Sequence, residues 1–245
     1  MEKEKSGLTE KIMITRITGS HSLTETSDVV LKEKSFELYI NGSLFKKTVL
    51  TEGNEKYWVL GTLRSCGRLR SAEEAIALTV GRERAELRLE RPPLAEPEAV
   101  ELSRVKISSA LIEQAITELA TAELYRGTGC LHVASLYNEQ GTKLFMAEDI
   151  SRHNAVDKAI GWFTEEGLAP SELLLFISGR MPLDMVMKLL FAGLSFIASV
   201  SAPTLESVLA ARKAGITMAG FVRDGRMNIY SGAERITAPA ALRSS

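Results

Sequence analysis

The sequence predicts an α/β protein built from two parts, a smaller N-terminal α+β part and a larger C-terminal part whose sheet is covered by helices on both faces. Beyond residue 99, short apolar runs alternate with helix-length amphipathic segments, which is the pattern of such a sheet. Three of the seven prolines lie within residues 90–98, and proline interrupts both helices and strands. We therefore expect a first domain and linker at residues 1–98 and a second domain at residues 99–245.

The N-terminal part predicts two β-hairpins and one short helix. Asn41 and Gly42 form a strong signal for a two-residue hairpin turn, because both residue types tolerate a left-handed backbone. A second hairpin is expected around Gly81. The expected strands are residues 37–40, 44–50, 75–80 and 85–89, and the expected helix is 56–64.

The C-terminal part predicts alternating strands and helices. Residues 108–124 carry apolar side chains at helical spacing and predict one amphipathic helix. Pro182 is well suited to open a helix, and Gly215 to follow the end of another. The other expected helices are residues 151–163, 182–193 and 203–214. The expected strands are residues 131–137, 143–147, 173–177, 195–200, 216–222 and 227–230.

Three loops of this sheet are candidate binding sites, because ligands of such sheets bind beyond the carboxyl ends of the strands. The loops at residues 178–182 and 201–204 lead into helix N-termini, where free N–H groups favour an anion. The loop at residues 223–226 places Arg223 and Arg226 across a tight turn. An anion between these arginines would relieve their repulsion, although charge at a hairpin turn is also the ordinary expectation.

The helix at residue 151 carries Arg152 and His153 in its first turn, where a cation opposes the helix dipole. An anionic ligand would offset this charge, and so would neighbouring carboxylates such as Glu148, Asp149 and Asp157. His132 lies at the entry to the expected strand at residues 131–137. A single histidine at such a position is more often structural than catalytic.

The two cysteines, Cys66 and Cys130, are too few for a disulfide framework or a structural zinc site. Cys130 precedes an apolar strand and is expected to be a small buried side chain. Arg64, Arg68 and Arg70 surround Cys66 in sequence, so we expect a lowered thiol pKa and some thiolate character. Cys66 is therefore a weak candidate for nucleophilic chemistry.

Composition argues against several other classes of protein. A formal net charge of -1 gives no sign of a nucleic-acid partner or an anionic membrane surface. The N-terminus lacks an apolar run, and the apolar stretch at residues 183–200 contains Asp184 and Lys188, so we expect a cytoplasmic protein that does not enter a membrane. The zinc deaminase signature, the P-loop and the dinucleotide fingerprint are absent, and no bound metal is expected.

Five segments, in this order along the chain, resemble the formate dehydrogenase accessory protein (FdhD) family. The longest runs from Glu148 to Gly161 and contains Glu-Asp-x-x-Arg-His-Asn-Ala-x-Asp-Lys, a long and specific pattern. The other four are residues 128–134, 177–180, 199–204 and 220–226. The resemblance is weaker before residue 99.

The resemblance implies a C-terminal domain like that of cytidine deaminase without its zinc, and a homodimer. Members of the family take sulfur from a cysteine desulfurase and pass it to the molybdenum (or tungsten) bis-guanine-dinucleotide cofactor of formate dehydrogenase. The implied cargo is thus molybdopterin guanine dinucleotide, and the implied partners are the desulfurase and the catalytic subunit of formate dehydrogenase. The candidate cofactor-binding residues are Phe221, Val222, Arg223, Asp224, Gly225, Arg226, Arg180, Ser201, Arg152, His153 and His132.

The sequence departs from this family at the residues that carry sulfur. The family's carrier is a Cys-x-x-Cys loop between the two domains, whereas residues 90–98 here contain no cysteine. Persulfide chemistry needs a thiolate, so sulfurtransferase activity is left open while cofactor binding is expected. Two alternatives are a sulfur carrier that uses Cys66, and a non-catalytic or regulatory partner that kept the scaffold.

Overall fold

The computed structural model describes residues 7–19, 21–103 and 105–238 and confirms the predicted α/β fold class. The N-terminal part begins with a hairpin that was not predicted, β1 (Thr9–Ile17) and β2 (Leu23–Leu31). The elements that follow are β3 (Lys34–Ile40), β4 (Ser43–Leu50), α1 (Glu55–Arg64), β5 (Ile76–Val80) and β6 (Arg84–Arg88). The last four strands form one sheet in the order β4-β3-β6-β5. The turns predicted at Asn41-Gly42 and Gly81 are confirmed.

The C-terminal part contains a six-stranded sheet. Its elements are β7 (Ile107–Ser108), α2 (Ser109–Leu119), α3 (Glu123–Thr128), β8 (His132–Asn138), β9 (Lys143–Asp149), α4 (Arg152–Glu165), β10 (Leu173–Ile177), α5 (Leu183–Ala192), β11 (Phe196–Ser199), α6 (Leu205–Ala214), β12 (Thr217–Arg223), β13 (Arg226–Ser231) and β14 (Ile236–Thr237). The large sheet has the order β13-β12-β11-β10-β8-β9, and β10, β11 and β12 are parallel. The strands β7 and β14 form a separate parallel pair.

The single helix predicted at residues 108–124 is wrong at its end. Helix α2 stops at Leu119, and Ala122 takes an extended conformation before α3 begins at Glu123. The residues at the break are alanine and threonine, which carry no strong stop signal, so the apolar spacing concealed the interruption.

Helices cover both faces of the large sheet, as the alternating pattern predicted. One face packs against α4, α5 and α6 in a core that includes Phe163, Leu189 and Ala211. The other face packs against α2 through Ile112 and Ile116. The four-stranded sheet and α1 form a third apolar cluster around Trp58. The C-terminal part is thus a three-layer α/β/α structure.

The two parts meet where α1 crosses α4 at a pair of glycines. A Cβ atom on Gly61 would lie 1.7 Å from the Asp157 carbonyl oxygen, and a Cβ on Gly161 would lie 1.7 Å from the Tyr57 carbonyl oxygen. No side chain fits at either position, so the two backbones touch. The division at residue 98 stays a prediction, but this crossing fixes α4 against the N-terminal part. Within the described residues, no helix has the length and apolar composition needed to cross a bilayer.

Candidate anion-binding site

The carboxyl ends of β10, β11 and β12 lie side by side, and hydrogen bonds tie their loops together. The Ser199 hydroxyl donates to the Gly179 carbonyl oxygen (2.6 Å) and accepts from the Ser201 amide (3.0 Å). The Phe221 amide donates to the Ser201 carbonyl oxygen (3.1 Å). The three predicted loops therefore form one continuous edge, which carries the candidate residues Arg180, Ser201 and Phe221.

His132, Arg152 and Arg180 come together at this edge. His132 begins β8, which pairs antiparallel with β10 and so starts beside the end of β10. The loop after β10 passes close to Arg152, because a Cβ on Gly179 would lie 2.9 Å from the Arg152 Cβ. Burial lowers the pKa of His132, and the charges of Arg152 and Arg180 lower it further.

Arg152 and Arg180 have no carboxylate partner among the residues that the structure describes. The Nε atom of Arg152 is also buried there without a hydrogen-bond acceptor. Buried polar groups are normally satisfied, and the positive charges of Arg152 and Arg180 both act on the His132 ring. An anion such as a phosphate would accept hydrogen bonds from a guanidinium group and would offset the positive charge.

None of the three carboxylates that were expected as alternatives forms an ion pair with Arg152. Glu148 accepts a hydrogen bond from the Tyr125 amide (2.6 Å). Asp149 pairs with Lys158 and Asp157 with Lys188, at 2.8 and 2.5 Å. The first turn of α4 contains no acidic residue, and the Ser151 side chain does not cap it. The positive end of this helix therefore adds to the charge of the arginines.

The turn after β12 is the second cationic feature of the edge. Arg223 and Arg226 lie opposite each other in the register, with Asp224 and Gly225 in left-handed conformations between them. Both arginines are exposed, and the Arg223 guanidinium lies 5.8 Å from the centroid of the Phe221 ring. The side chain of the remaining candidate in this segment, Val222, belongs to the core and does not line the edge.

Two other features of the predicted site have internal partners. The Nε2 atom of His153 lies 3.5 Å from an oxygen of Asp184, so this ring is directed to α5. The N-terminus of α6 is closed by a capping box between Thr204 and Ser207. Arg152, Arg180 and His132 thus form the centre of the candidate site.

Most of the specific motif in residues 148–161 has a structural role that sequence reasoning missed. The Asn154 side chain donates to the Val49 carbonyl oxygen (2.8 Å) and accepts from the Trp58 indole (3.0 Å). The Lys158 ammonium donates to the Thr51 carbonyl oxygen (2.7 Å). Polar residues on an otherwise buried helix were the available signal, because such groups require partners. The motif fastens α4 to the N-terminal part and leaves Arg152 at the edge.

The expectations for the two cysteines are wrong. Cys130 is exposed rather than buried. Cys66 is exposed as a residue, but its sulfur lies 3.4 Å from the Leu63 carbonyl oxygen, and desolvation raises the pKa of the thiol rather than lowering it, an effect that the charge of Arg68 only partly offsets. Arg64 turns away and donates to the Ala192 carbonyl oxygen (3.1 Å), so it does not contribute.

The described residues contain no group of three or more histidine, cysteine or acidic side chains that could hold a metal ion. The donors of the edge are instead guanidinium, imidazole and amide groups, which suit an anionic ligand.

Fold and edge together define an α/β protein with a candidate anion site at the carboxyl ends of its parallel strands. The family model of the FdhD/NarQ family matches residues 93–237. The chain therefore belongs to the FdhD/NarQ family, as the motifs predicted.

Several relatives named "Sulfur carrier protein FdhD" are similar to this chain. The protein of Nocardia farcinica is 45% identical over 119 residues, which cover 48% of this chain and 43% of the relative. That of Methanothermobacter thermautotrophicus is 48% identical over 115 residues, 47% and 46% of the two chains. That of Wolinella succinogenes is 27% identical over an alignment of 268 residues, 96% and 91% of the two chains. The match to the first two relatives spans less than half of their length.

A crystal structure from Desulfotalea psychrophila, assigned as a formate dehydrogenase accessory protein, has a similar fold. Its TM-score is 0.83 at 24% sequence identity, and the match covers 94% of this chain and 100% of the other. The likeness extends over both parts of the present fold.

Proposed function

We propose that this protein binds the guanine-dinucleotide form of the molybdenum (or tungsten) cofactor and supports its delivery to formate dehydrogenase. The observation that carries the proposal is the pair Arg152 and Arg180 at the edge of the sheet. Their charges act on His132, and neither has a carboxylate partner within the part of the chain that the structure describes. The diphosphate of such a cargo presents the anionic oxygens that guanidinium groups bind best. Membership of the FdhD/NarQ family supports the same cargo.

The proposed partners follow from the proposed cargo and from membership of the family. They are the catalytic subunit of formate dehydrogenase, a cysteine desulfurase as the source of sulfur, and a second copy of this chain in a homodimer. The chain has two cysteines and no Cys-x-x-Cys pair. We therefore separate cargo binding, which the edge supports, from sulfur transfer, for which a thiolate would have to come from another protein or from Cys66.

Guanosine diphosphate is a suitable probe for the cargo site. A ligand that binds only the folded state at 100 times its Kd adds about 2.7 kcal/mol, which for a chain of this size raises Tm by roughly 5–10 °C. Arg180→Ala removes an exposed side chain and should abolish most of this shift without lowering the Tm of the free protein. Arg82→Ala, which removes an exposed arginine of the β5–β6 turn, is the matched control and should respond like the wild type. No shift of the wild-type Tm at millimolar nucleotide would contradict the proposal.

A second candidate function is a non-catalytic partner that kept the scaffold, and the missing cysteine pair favours it. Such a protein would bind a formate dehydrogenase subunit or a cysteine-bearing relative without responding to the nucleotide. Co-purification of tagged protein with each purified candidate, with and without guanosine diphosphate, separates the two functions.

A further inference from the structure

We propose that Ser178 is a positioning residue that holds neutral His132 with its proton on Nε2, which makes His132 the third donor of the anion site. This inference rests on the proposed function and names a residue that the motifs did not single out for a role. It gives His132 an N–H donor, at Nε2, even when the imidazole ring is uncharged.

The hydrogen bonds of Ser178 favour one tautomer of the His132 ring. The Ser178 hydroxyl oxygen accepts from the Val133 amide at 2.9 Å, and among the described residues its own hydrogen has no acceptor other than His132 Nδ1, so donation to Nδ1 is the arrangement that satisfies it. The Nδ1 atom of His132 lies 3.4 Å from the same oxygen, which is long for a bond from a hydroxyl. Hydrogen bonds in binding sites are often long in the free protein and shorten when the ligand binds. An Nδ1 atom that accepts from Ser178 leaves the proton of the neutral ring on Nε2.

Burial of His132, and then the charges around it, lower its pKa and so favour the neutral ring in the free protein. Arg152 on α4 and Arg180 after β10 face it with positive charge, and Asp149 faces it from β9 with negative charge. Asp149 is already paired with Lys158, so the arginines dominate. A neutral ring needs a fixed tautomer to be a reliable donor, whereas an imidazolium donates from both nitrogens. A positioning role of Ser178 therefore affects anion binding only while the ring is neutral, whereas a purely structural contact would affect binding at every pH.

Nitrogen NMR of the imidazole tests the tautomer without any ligand. The wild-type protein at pH 8 should show His132 with its proton on Nε2, and Ser178→Ala should show a mixture of the two tautomers. Ser178→Thr keeps the hydroxyl and should behave like the wild type. A wild-type ring protonated on Nδ1 would overturn the inference and would leave the proposed function intact.

Calorimetric titration with guanosine diphosphate between pH 8 and pH 5.5 tests the donor. Ser178→Ala should bind more weakly at pH 8 by the factor by which the Nε2-protonated fraction falls, about twofold for an equal mixture of the tautomers. The deficit should shrink toward pH 5.5, because bound phosphate favours the imidazolium and the tautomer then no longer matters. His132→Gln, whose amide can donate in place of Nε2, should bind with the same affinity whether or not Ser178 is replaced, and its pH dependence should be that of the terminal phosphate of the nucleotide alone. A deficit that stays constant with pH would overturn the inference alone, whereas a wild-type protein that binds no nucleotide would overturn the proposed function as well.

Discussion

The ammonium group of Lys158 lies 2.8 Å from a carboxylate oxygen of Asp149, and both side chains are almost completely buried, at 1% and 0% exposure. Lys158 also donates to the carbonyl oxygen of Thr51, while Asp149 accepts from the Thr51 amide. The pair therefore joins the end of β9, helix α4 and the segment after β4. Because buried ion pairs add little net stability compared with apolar packing, we infer that this one specifies how the two parts of the chain dock.

Removal of one partner of this pair should be costly. Lys158→Met keeps the length of the side chain and leaves Asp149 as an uncompensated buried charge, so the free energy of unfolding should fall by about 3 kcal/mol or more. Urea unfolding followed by circular dichroism measures the change. The matched control is Lys56→Met, which breaks the exposed pair with Glu165 and should cost less than about 1 kcal/mol. Equal losses in the two variants would contradict the docking role.

The crossing of α1 and α4 should not tolerate a single added methyl group. In Gly161→Ala the new Cβ would lie 1.7 Å from the Tyr57 carbonyl oxygen, which forces the helices apart. Overpacking of this kind costs about 3 kcal/mol, measured as a lower midpoint of thermal unfolding. Gly127→Ala in α3 is the control, because nothing lies within 4 Å of its Cβ position and alanine favours the helix. It should leave the midpoint unchanged or raise it slightly.

The parts of the fold that could be predicted carry a local signal, either the period of a buried face or a residue type that a turn requires. The strands of the large sheet were found by the first signal and the turn at Asn41-Gly42 by the second. The β1–β2 hairpin was missed because it faces no core. Its apolar residues, such as Ile12 and Met13, are exposed and lie on both faces, so the burial period that marks a strand is lost.

The site was predictable in outline and not in its contacts. The edge followed from the parallel strands, and Arg180 and Ser201 were found there by topology alone. The hydrogen-bond partners of the motif could not be predicted, because Lys158 and Thr51 are 107 residues apart in the chain and meet only in the fold. Neighbours in the fold also decide the pKa of Cys66, so the prediction made from the arginines next to it in sequence had the wrong direction.

The raised pKa of Cys66 should make its thiol react slowly near neutral pH. Alkylation needs the thiolate, so iodoacetamide should label Cys66 more slowly at pH 7.5 in the folded protein than in the urea-unfolded protein. Mass spectrometry in a Cys130→Ser background measures both rates. Arg68→Ala should slow the reaction further, since the charge of Arg68 lowers this pKa. Faster labelling of the folded protein would contradict the raised pKa and would revive Cys66 as a sulfur carrier.

Glu118 should make the stability of the protein depend on acid pH. Its carboxylate accepts hydrogen bonds from Gln114, Tyr137 and Lys143, which together lower its pKa from 4.5 to about 2. Because the folded pKa lies below the unfolded value, the stabilisation is complete above pH 4.5 and is lost as the pH falls from 4.5 toward 2.

The test of this linkage compares Glu118→Gln with the wild type in urea unfolding at several values of pH. At pH 6 the wild type should unfold at the higher urea concentration, because glutamine cannot pair with the Lys143 ammonium at 3.0 Å. The two midpoints should converge between pH 4.5 and pH 2, where the wild-type carboxyl becomes neutral. Glu113→Gln changes a carboxylate on the same helix that pairs with no side chain among the described residues, and its difference from the wild type should be small at every pH. A gap between Glu118→Gln and the wild type that persists unchanged at pH 2 would show that the glutamine acts through packing and not through the lost charge.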